Sequence, residues 1–472
     1  MSRISPARTT AFRLLCRLHE KADDSTPLPV LLEEAARNIP PRDAALAAEI
    51  VYGVLRSEAR LASVTAPFLK RPAALPPRLR YILAMAVFEL KELDGIPARA
   101  TLDQAVQLAR EQFGAGLAGL VNAVLRKICS TASPDPEEAT VPSKAAVATS
   151  AASPERAAIH DEDIALASSL PLWLAALWRK QYGPETALRF ARLAALRPLP
   201  ALRLNAAGNP DSLNALRALL KAEGALFFSP CTCILPSASA IAEHTTPCEA
   251  NKNSRIMDSA DKAVRDGLAS RQGTAAQKII LRMAEQLRKM ADDGLFWDAC
   301  CGRGGKSCAL REQGVFPLLC SDPSERRLNF LRADAKRLGL NGMDIISGKA
   351  QDIAVAHPCA FNGILLDAPC SGTGTLARNP ELKLRLNPDK LKAAAALQSE
   401  LLDAVWTSLR PGGVLIYSTC ALNREENEDQ ITAFLSRTAD ARLEEQELIL
   451  PEHPEEEGQD ILFHALLRRS GQ

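Results

Sequence analysis

Gly294-Leu-Phe-Trp-Asp298-Ala-Cys300-Cys301-Gly302-Arg303-Gly304-Gly305-Lys306 reads as a short apolar strand that ends on a carboxylate and turns through glycines into a helix. Similar units lie on either side of it. Ala275 to Met290 has helical periodicity. Phe316 to Ser321 reads as a second strand ending at Asp322, and Arg326 to Leu338 as a helix. Gly363-Ile-Leu-Leu-Asp367 is another strand, Leu391 to Leu409 a helix, and Gly413-Val-Leu-Ile-Tyr417 a further strand. Strands alternating with helices predict an α/β domain over 271–472 built on a parallel, doubly wound sheet. Ligands of such sheets bind beyond the carboxyl ends of the strands. Asp298, Asp322, Asp367 and Ser418 directly follow strands and should therefore converge.

The glycines of the turn let the backbone approach a ligand closely. The turn lacks the spacing of a phosphate-binding P-loop, and Gly302-Arg303-Gly304 lacks the third glycine of a dinucleotide fingerprint. Asp322 comes about twenty residues later, where one carboxylate can accept from both hydroxyls of a ribose. It also stands where it would cap the helix beginning at Pro323, and the two roles are compatible.

Asp367-Ala-Pro-Cys370-Ser-Gly372-Thr-Gly374-Thr is the most specific string in the chain. A strand ends in a carboxylate, and a cysteine follows in a loop of small residues. Tyr417-Ser-Thr-Cys420 repeats the arrangement farther on. Buried thiols are mostly inert core. Two thiols at strand ends, each among small residues and beside a candidate ligand pocket, point instead to reactivity.

Outward from this region the pattern changes. Residues 5 to 128 read as five to seven helices: Leu14, Leu15, Leu18 and then Leu46, Ile50, Val51, Val54, Leu55 recur at helical steps, punctuated by Pro40-Pro41, Pro76-Pro77 and Pro97. The expected domains are an all-helical one over 1–130, a flexible Ala/Ser/Thr/Pro-rich linker over 131–165, and an intervening α/β segment over 166–270. Within that segment, 231–265 is polar and unpatterned and is expected to be a long loop. The 472 residues are 47% hydrophobic and 24% charged, a globular balance, and carry a net charge of +1. Residues 1–130 hold about five more basic than acidic side chains, whereas Asp440 to Asp460 is acidic. No run is long enough for a membrane helix and Met1 to Arg8 lacks the apolar core of a secretory signal, so a cytoplasmic location is expected. The 12 cysteines then read as reduced thiols. Cys231-x-Cys233 with His244 and Cys248 lacks a second ligand pair, so ordinary loop thiols outweigh zinc.

Taken together, these strings resemble the NOL/NOP/Sun family of RNA cytosine-5 methyltransferases, in particular its bacterial Sun (RsmB-type) small-subunit rRNA branch. The resemblance is carried by Asp367-Ala-Pro-Cys370-Ser-Gly-Thr-Gly374, Ser418-Thr-Cys420, Arg424-Glu-Glu-Asn427, Asp322 with Arg326-Arg-Leu328, and Arg378-Asn-Pro380-Glu381. The N-terminal part resembles the NusB RNA-binding fold through Asp43-x-x-Leu46, Glu49-x-Val51-Tyr52-Gly53-Val54-Leu55-Arg56, Ile96-Pro97-Ala98 and Val121-Asn122-Ala123-Val124-Leu125-Arg126. Trp173, Tyr182-Gly183 and Leu202-Arg203-Leu204-Asn205 resemble the segment between. The resemblance implies a NusB-like helical domain followed by a Rossmann-like catalytic domain, S-adenosyl-L-methionine as methyl donor, no metal, and 16S rRNA as partner.

It also implies roles. Carbon 5 of cytosine is a poor nucleophile until a thiolate adds to carbon 6. By the resemblance Cys420 is that nucleophile, Cys370 acts as, or places, the base that releases the enzyme, and Asp367 hydrogen-bonds the cytosine edge. Cys300, Cys301, Gly302, Arg303, Gly304, Gly305, Lys306, Asp322 and Lys349, with Asp367, would hold the cofactor. The target base must be single-stranded or extruded. The chain departs from the family's Cys-Ala-Ala-Pro-Gly-Gly-Lys turn at Arg303. It carries Lys349 where the family has an acid, with Asp352 nearby, and it has no acid beside Gln272-Gly273. These departures bear on cofactor affinity more than on chemistry. Alternatives are a tRNA substrate, an RNA-binding assembly factor with a decayed catalytic domain, and, less consistent with the helical N-terminal part, a DNA cytosine methyltransferase.

Overall fold

The structure, a computed structural model, describes residues 4–20, 26–93, 95–131, 158–236, 247–289 and 294–471. It forms two compact units, Met1–Ala195 with Asn379–Arg385, and Leu196–Arg378 with Leu386–Gln472.

The first unit is helical: α1 (Pro6–Glu20), α2 (Leu28–Ala36), α3 (Pro41–Thr65), α4 (Pro77–Glu92), α5 (Ala98–Phe113), α6 (Ala115–Ser130), α7 (Asp161–Ser168), α8 (Leu172–Tyr182) and α9 (Pro184–Ala195). A proline opens α3 and α4, as the doublets predict, and Pro27 and Pro29 flank the first residue of α2. The apolar stripes, among them Leu15, Ile50, Val54, Ile82, Val87 and Leu125, meet in one core. The linker expected over 131–165 lies for residues 132–157 outside the described residues, and its last part is α7. Helices α7 to α9 belong to this unit, not to an intervening segment beginning at 166. They bury Ile164, Leu174, Trp178 and Phe190, with Leu174 and Trp178 one turn apart on α8.

Helix α3 is kinked at Ser57, whose φ of −124° and ψ of 16° break the helical ladder. The freed backbone groups find side chains. The Ala59 N–H donates to Ser169 Oγ at 2.8 Å, and the Leu55 carbonyl accepts from Lys383 Nζ at 2.7 Å. Lys383 also donates to the Ser168 carbonyl at 2.5 Å. Burial drives its ammonium down to about 7. Lys383→Met keeps the stem and removes the donor from two carbonyls. It is expected to cost about 2 kcal/mol, read as a lower urea midpoint by circular dichroism. An unchanged midpoint would show that the kink does not depend on this ammonium.

The second unit opens with a small antiparallel sheet, in the order β2-β3-β1-β4, of β1 (Ala201–Leu204), β2 (Leu226–Ser229), β3 (Thr232–Ile234) and β4 (Ala269–Arg271). Its helices are α10 (Pro210–Ala222) and α11 (Pro247–Arg265). The loop expected over 231–265 is therefore corrected: residues 237–246 lie outside the described residues, and the rest is largely β3 and α11. Among the described side chains of α11, those fully buried are Ile256, Ala260 and Ala263, and alanine is too weakly apolar to stand out in a polar sequence.

The main sheet follows: α12 (Thr274–Arg288), β5 (Leu295–Asp298), α13 (Gly305–Glu312), β6 (Leu318–Asp322), α14 (Glu325–Arg337), β7 (Met343–Ser347), α15 (Ala350–Ala356), β8 (Phe361–Asp367), α16 (Pro388–Ser408), β9 (Leu409–Thr419), α17 (Glu428–Arg437), β10 (Ala441–Ile449) and β11 (Leu462–Arg469). Its order is β10-β11-β9-β8-β5-β6-β7. The five strands from β9 to β7 are parallel, as expected of a Rossmann-like domain, and β11 and β10 add an antiparallel edge. Alternate strand residues bury on opposite faces. Phe296, Leu365 and Ile416 pack with Ile279, Ile280 and Met283 of α12, while Trp297, Ile364, Leu366 and Tyr417 pack with Leu402, Val405 and Trp406 of α16. The strand order reverses between β5 and β8, which places Asp298 and Asp367 at a topological switch point. Among the described residues no helix is long and apolar enough to cross a membrane.

Candidate active site

The turn after β5 is built by left-handed glycines. Gly302 has φ 55° and Gly304 φ 83°. A Cβ on Gly304 would lie 2.2 Å from Leu331 Cδ1, so α14 packs directly on the turn. A Cβ on Gly302 would meet nothing within 4 Å, so that side of the turn is open. The Gly302 N–H donates to Asp322 Oδ2 at 3.2 Å and the Ser324 N–H to Oδ1 at 2.8 Å. Asp322 thus braces the glycine turn and holds the residue before α14; the expected cap is not made, because the N-cap is Ser324 and the first turn of the helix has no side-chain cap. Cys301 is buried and Cys300 half-buried, and burial foremost pushes both thiols far up, which marks them as turn packing. Arg303 points outward and lies 4.0 Å over the Phe330 ring.

Lys306, from the first turn of α13, reaches across to β8 and pairs with Asp367, Nζ to Oδ2 at 2.6 Å. Burial opposes its charge, but the Asp367 carboxylate more than offsets this and raises its pKa. Fully buried Asp298 accepts from Ser307 Oγ at 2.6 Å. Burial, only partly countered by that bond, pushes its carboxyl up to about 7. A raised folded-state pKa contributes stability that is complete below the ordinary 3.8 and is lost as pH rises through about 7. Asp298→Asn keeps an acceptor for Ser307 and does not titrate. Melting temperatures of the variant relative to the unaltered protein are expected to rise from pH 5 to pH 8, whereas parallel profiles would assign the proton elsewhere.

The two cysteines of the β8 and β9 loops meet, Cys370 Sγ lying 3.0 Å from Cys420 Sγ. The Cys420 N–H also donates to Cys370 Sγ at 3.2 Å. The bond to Cys420 and then burial hold the Cys370 thiol well above its ordinary value, so Cys370 keeps its proton. Lys306 lies within electrostatic reach of Cys420. Three of the expected site residues, Asp367, Cys370 and Cys420, are thus grouped with Lys306. Lys349 and Asp352 are exposed at the start of α15, beyond β7.

A model described as 16S rRNA methyltransferase RsmB/F matches residues 285–467, and one for the NusB family matches residues 5–130. A Vibrio cholerae protein named ribosomal RNA small subunit methyltransferase B is 31% identical over 96% of this chain and 95% of its own length. A Pseudomonas syringae protein of the same name is 32% identical over 93% of this chain and 88% of its own. The chain belongs to the RsmB/F methyltransferase family. The solved structure of PH0851, 20% identical, shares the fold with a TM-score of 0.66 over 99% of this chain and 100% of that one. Membership makes residues 285–467 the catalytic part of an RNA methyltransferase and residues 5–130 a NusB-type helical domain.

Several residues that hold this family's motifs in place were not singled out by role. Buried Glu426 accepts from the Ser371 N–H at 2.8 Å, Gln398 Nε2 at 3.0 Å and Asn423 Nδ2 at 2.9 Å, so it fastens the Cys370 loop to α16 and to the loop after Cys420. Asn427 accepts from Thr419 Oγ1 at 2.6 Å and donates to the Ala421 carbonyl at 2.9 Å. The Arg424-Glu-Glu-Asn427 string was the available signal. Gly374 joins the loops through backbone alone: its N–H donates to the Cys420 carbonyl at 2.8 Å, and its carbonyl accepts from the Ile461 N–H at 2.9 Å.

Proposed function

We propose that the protein transfers a methyl group from S-adenosyl-L-methionine to carbon 5 of a cytosine in 16S rRNA through a covalent Cys420 adduct. The observation that carries this reading is the pair of sulfurs 3.0 Å apart beside the Lys306–Asp367 ion pair. The names of the relatives support the rRNA substrate, and the NusB-type unit is consistent with an RNA partner.

The residues present fit the cofactor. Two strand-end carboxylates, Asp322 and Asp367, and an open glycine turn suit a molecule that carries an ammonium, a sulfonium and a ribose diol. Asp322 would take the ribose, and Cys300 to Lys306 would line the rest. When bound, the cofactor supplies an electrophilic methyl group. The chain's own residues prepare the acceptor. Cys370 retains its proton, and Cys420 lies within electrostatic reach of the Lys306 ammonium. The Cys420 thiolate bonds to carbon 6, which makes carbon 5 nucleophilic. Asp367, a third exposed and anchored by Lys306, accepts a hydrogen bond from the cytosine edge. Once carbon 5 is methylated, its proton leaves to a base placed by Cys370. The electrons of that C–H bond restore the ring double bond, and the pair of the sulfur–carbon bond returns to Cys420.

Transfer of a labelled methyl group from S-adenosyl-L-methionine to protein-free small-subunit rRNA, with tRNA in parallel, tests this reading. Label recovered as 5-methylcytosine in rRNA is the expected result. Label in tRNA alone would replace the substrate. Binding without label in either would favour a decayed catalytic domain.

A further inference from the structure

The Arg378-Asn-Pro380-Glu381 string has a use that the chemistry above does not absorb. Arg378 follows the Cys370 loop directly, its N–H donating to the Thr375 carbonyl at 3.0 Å. Its guanidinium pairs with Asp460. The two partners are unequally placed: the Asp460 side chain is 11% exposed and that of Arg378 is 54% exposed. Asp460 precedes Ile461, which is joined to the Cys420 carbonyl through Gly374 alone. It also lies within electrostatic reach of Lys306. The pair therefore stands at the rim of the cysteine site.

An exposed arginine that merely decorates a surface contributes little. This one is aimed by a buried carboxylate, which occupies part of its planar fork and leaves further N–H donors facing solvent. Beside it stand the carboxylates of Asp367 and Asp460, and Lys306 is bound to Asp367. A nucleotide whose base reaches Cys420 must bring its phosphates past these carboxylates. Phosphate contacts fix register, and an extruded base is stable only when its backbone is held.

We propose that Arg378, aimed by Asp460, grips a backbone phosphate next to the extruded cytosine and so holds the target nucleotide over Cys420. This rests on the RNA reading given above. Arg378 is a substrate-positioning residue, and its effect belongs in RNA affinity and not in the chemical step.

The full chain is compared with Arg378→Ala, Arg378→Lys and Asp460→Asn on protein-free small-subunit rRNA. Steady-state constants are measured for both substrates, together with equilibrium RNA binding against salt. Arg378→Ala is expected to raise KM for RNA about tenfold and to lower the logarithmic salt slope of binding by about one. Its kcat, its KM for S-adenosyl-L-methionine and its melting temperature should stay near those of the unaltered protein. Arg378→Lys should restore the salt slope but only part of the KM. Asp460→Asn should raise the RNA KM with the slope retained. An unchanged RNA KM and slope for Arg378→Ala would overturn the proposal. A raised KM with an unchanged slope would move the contact from phosphate to base, and a fall in kcat together with melting temperature would reduce the pair to a structural brace. If Arg378→Ala fails to fold, Arg378→Lys decides: an RNA KM equal to that of the unaltered protein rejects the fork. Should the unaltered protein bind RNA without methylating it, the functional reading fails, and the salt slope still judges the phosphate contact.

Discussion

Cys420→Ala is expected to abolish methyl transfer, lowering kcat/KM by roughly four orders of magnitude or more, the scale on which covalent enzymes lose activity without their nucleophile. The reason is local. Carbon 5 of cytosine does not attack an electrophile until carbon 6 bears the thiolate, and Cys370, the sulfur that lies against Cys420, keeps its proton. Cys370→Ala should behave in the opposite way. The adduct still forms at Cys420, but its release is impaired, so protein and RNA should migrate together on a denaturing gel. An active Cys420→Ala protein, or a trapped adduct in that variant in place of Cys370→Ala, would exchange or cancel the two roles.

Gly374→Ala is the second large effect. A Cβ there would stand 2.1 Å from the Ile461 carbonyl oxygen and 3.0 Å from that of Cys420. Both obstacles are backbone and cannot swing aside as a side chain can. One added methyl group should therefore cost about 3 kcal/mol, the upper end for overpacking. It should also push the Cys420 loop away from Cys370, because the same residue supplies the hydrogen bonds on both sides. Urea denaturation and the labelled-methyl assay read the two consequences separately. A variant as stable and active as the unaltered protein would mean that the loops are aligned by Glu426 and Asn427 without this contact.

What the amino-acid sequence discloses here follows the physics of burial. Strands β5, β8 and β9 are buried on both faces, so they appear as unbroken apolar runs, and the polar residues that end them stand out. Asp298, Asp322, Asp367 and Cys420 were legible for that reason. Strand β10 was not, because it is an edge strand with Arg442, Glu444, Glu445 and Glu447 on it, charges that suit an edge and mimic an acidic loop. The same acidic stretch concealed Asp460, whose burial depends on β11 and on Arg378. Residues 379–385, part of the first unit, are too few to show a period. Arg303 and Lys349 are departures from the family's cofactor motifs whose surroundings no sequence pattern discloses: one lies on Phe330 and the other is exposed at the head of α15.

The bond from Ile461 to Gly374 bears on the order in which the polypeptide is made. Both sulfurs emerge during synthesis before Ile461 does, and until then the carbonyl of Gly374 has no strand to hold it. A nascent chain, or a truncated product ending short of this residue, would carry Cys370 and Cys420 on loops fastened from one side only. The last backbone bond of the cysteine loops is thus made by a residue that leaves the ribosome after every other part of them.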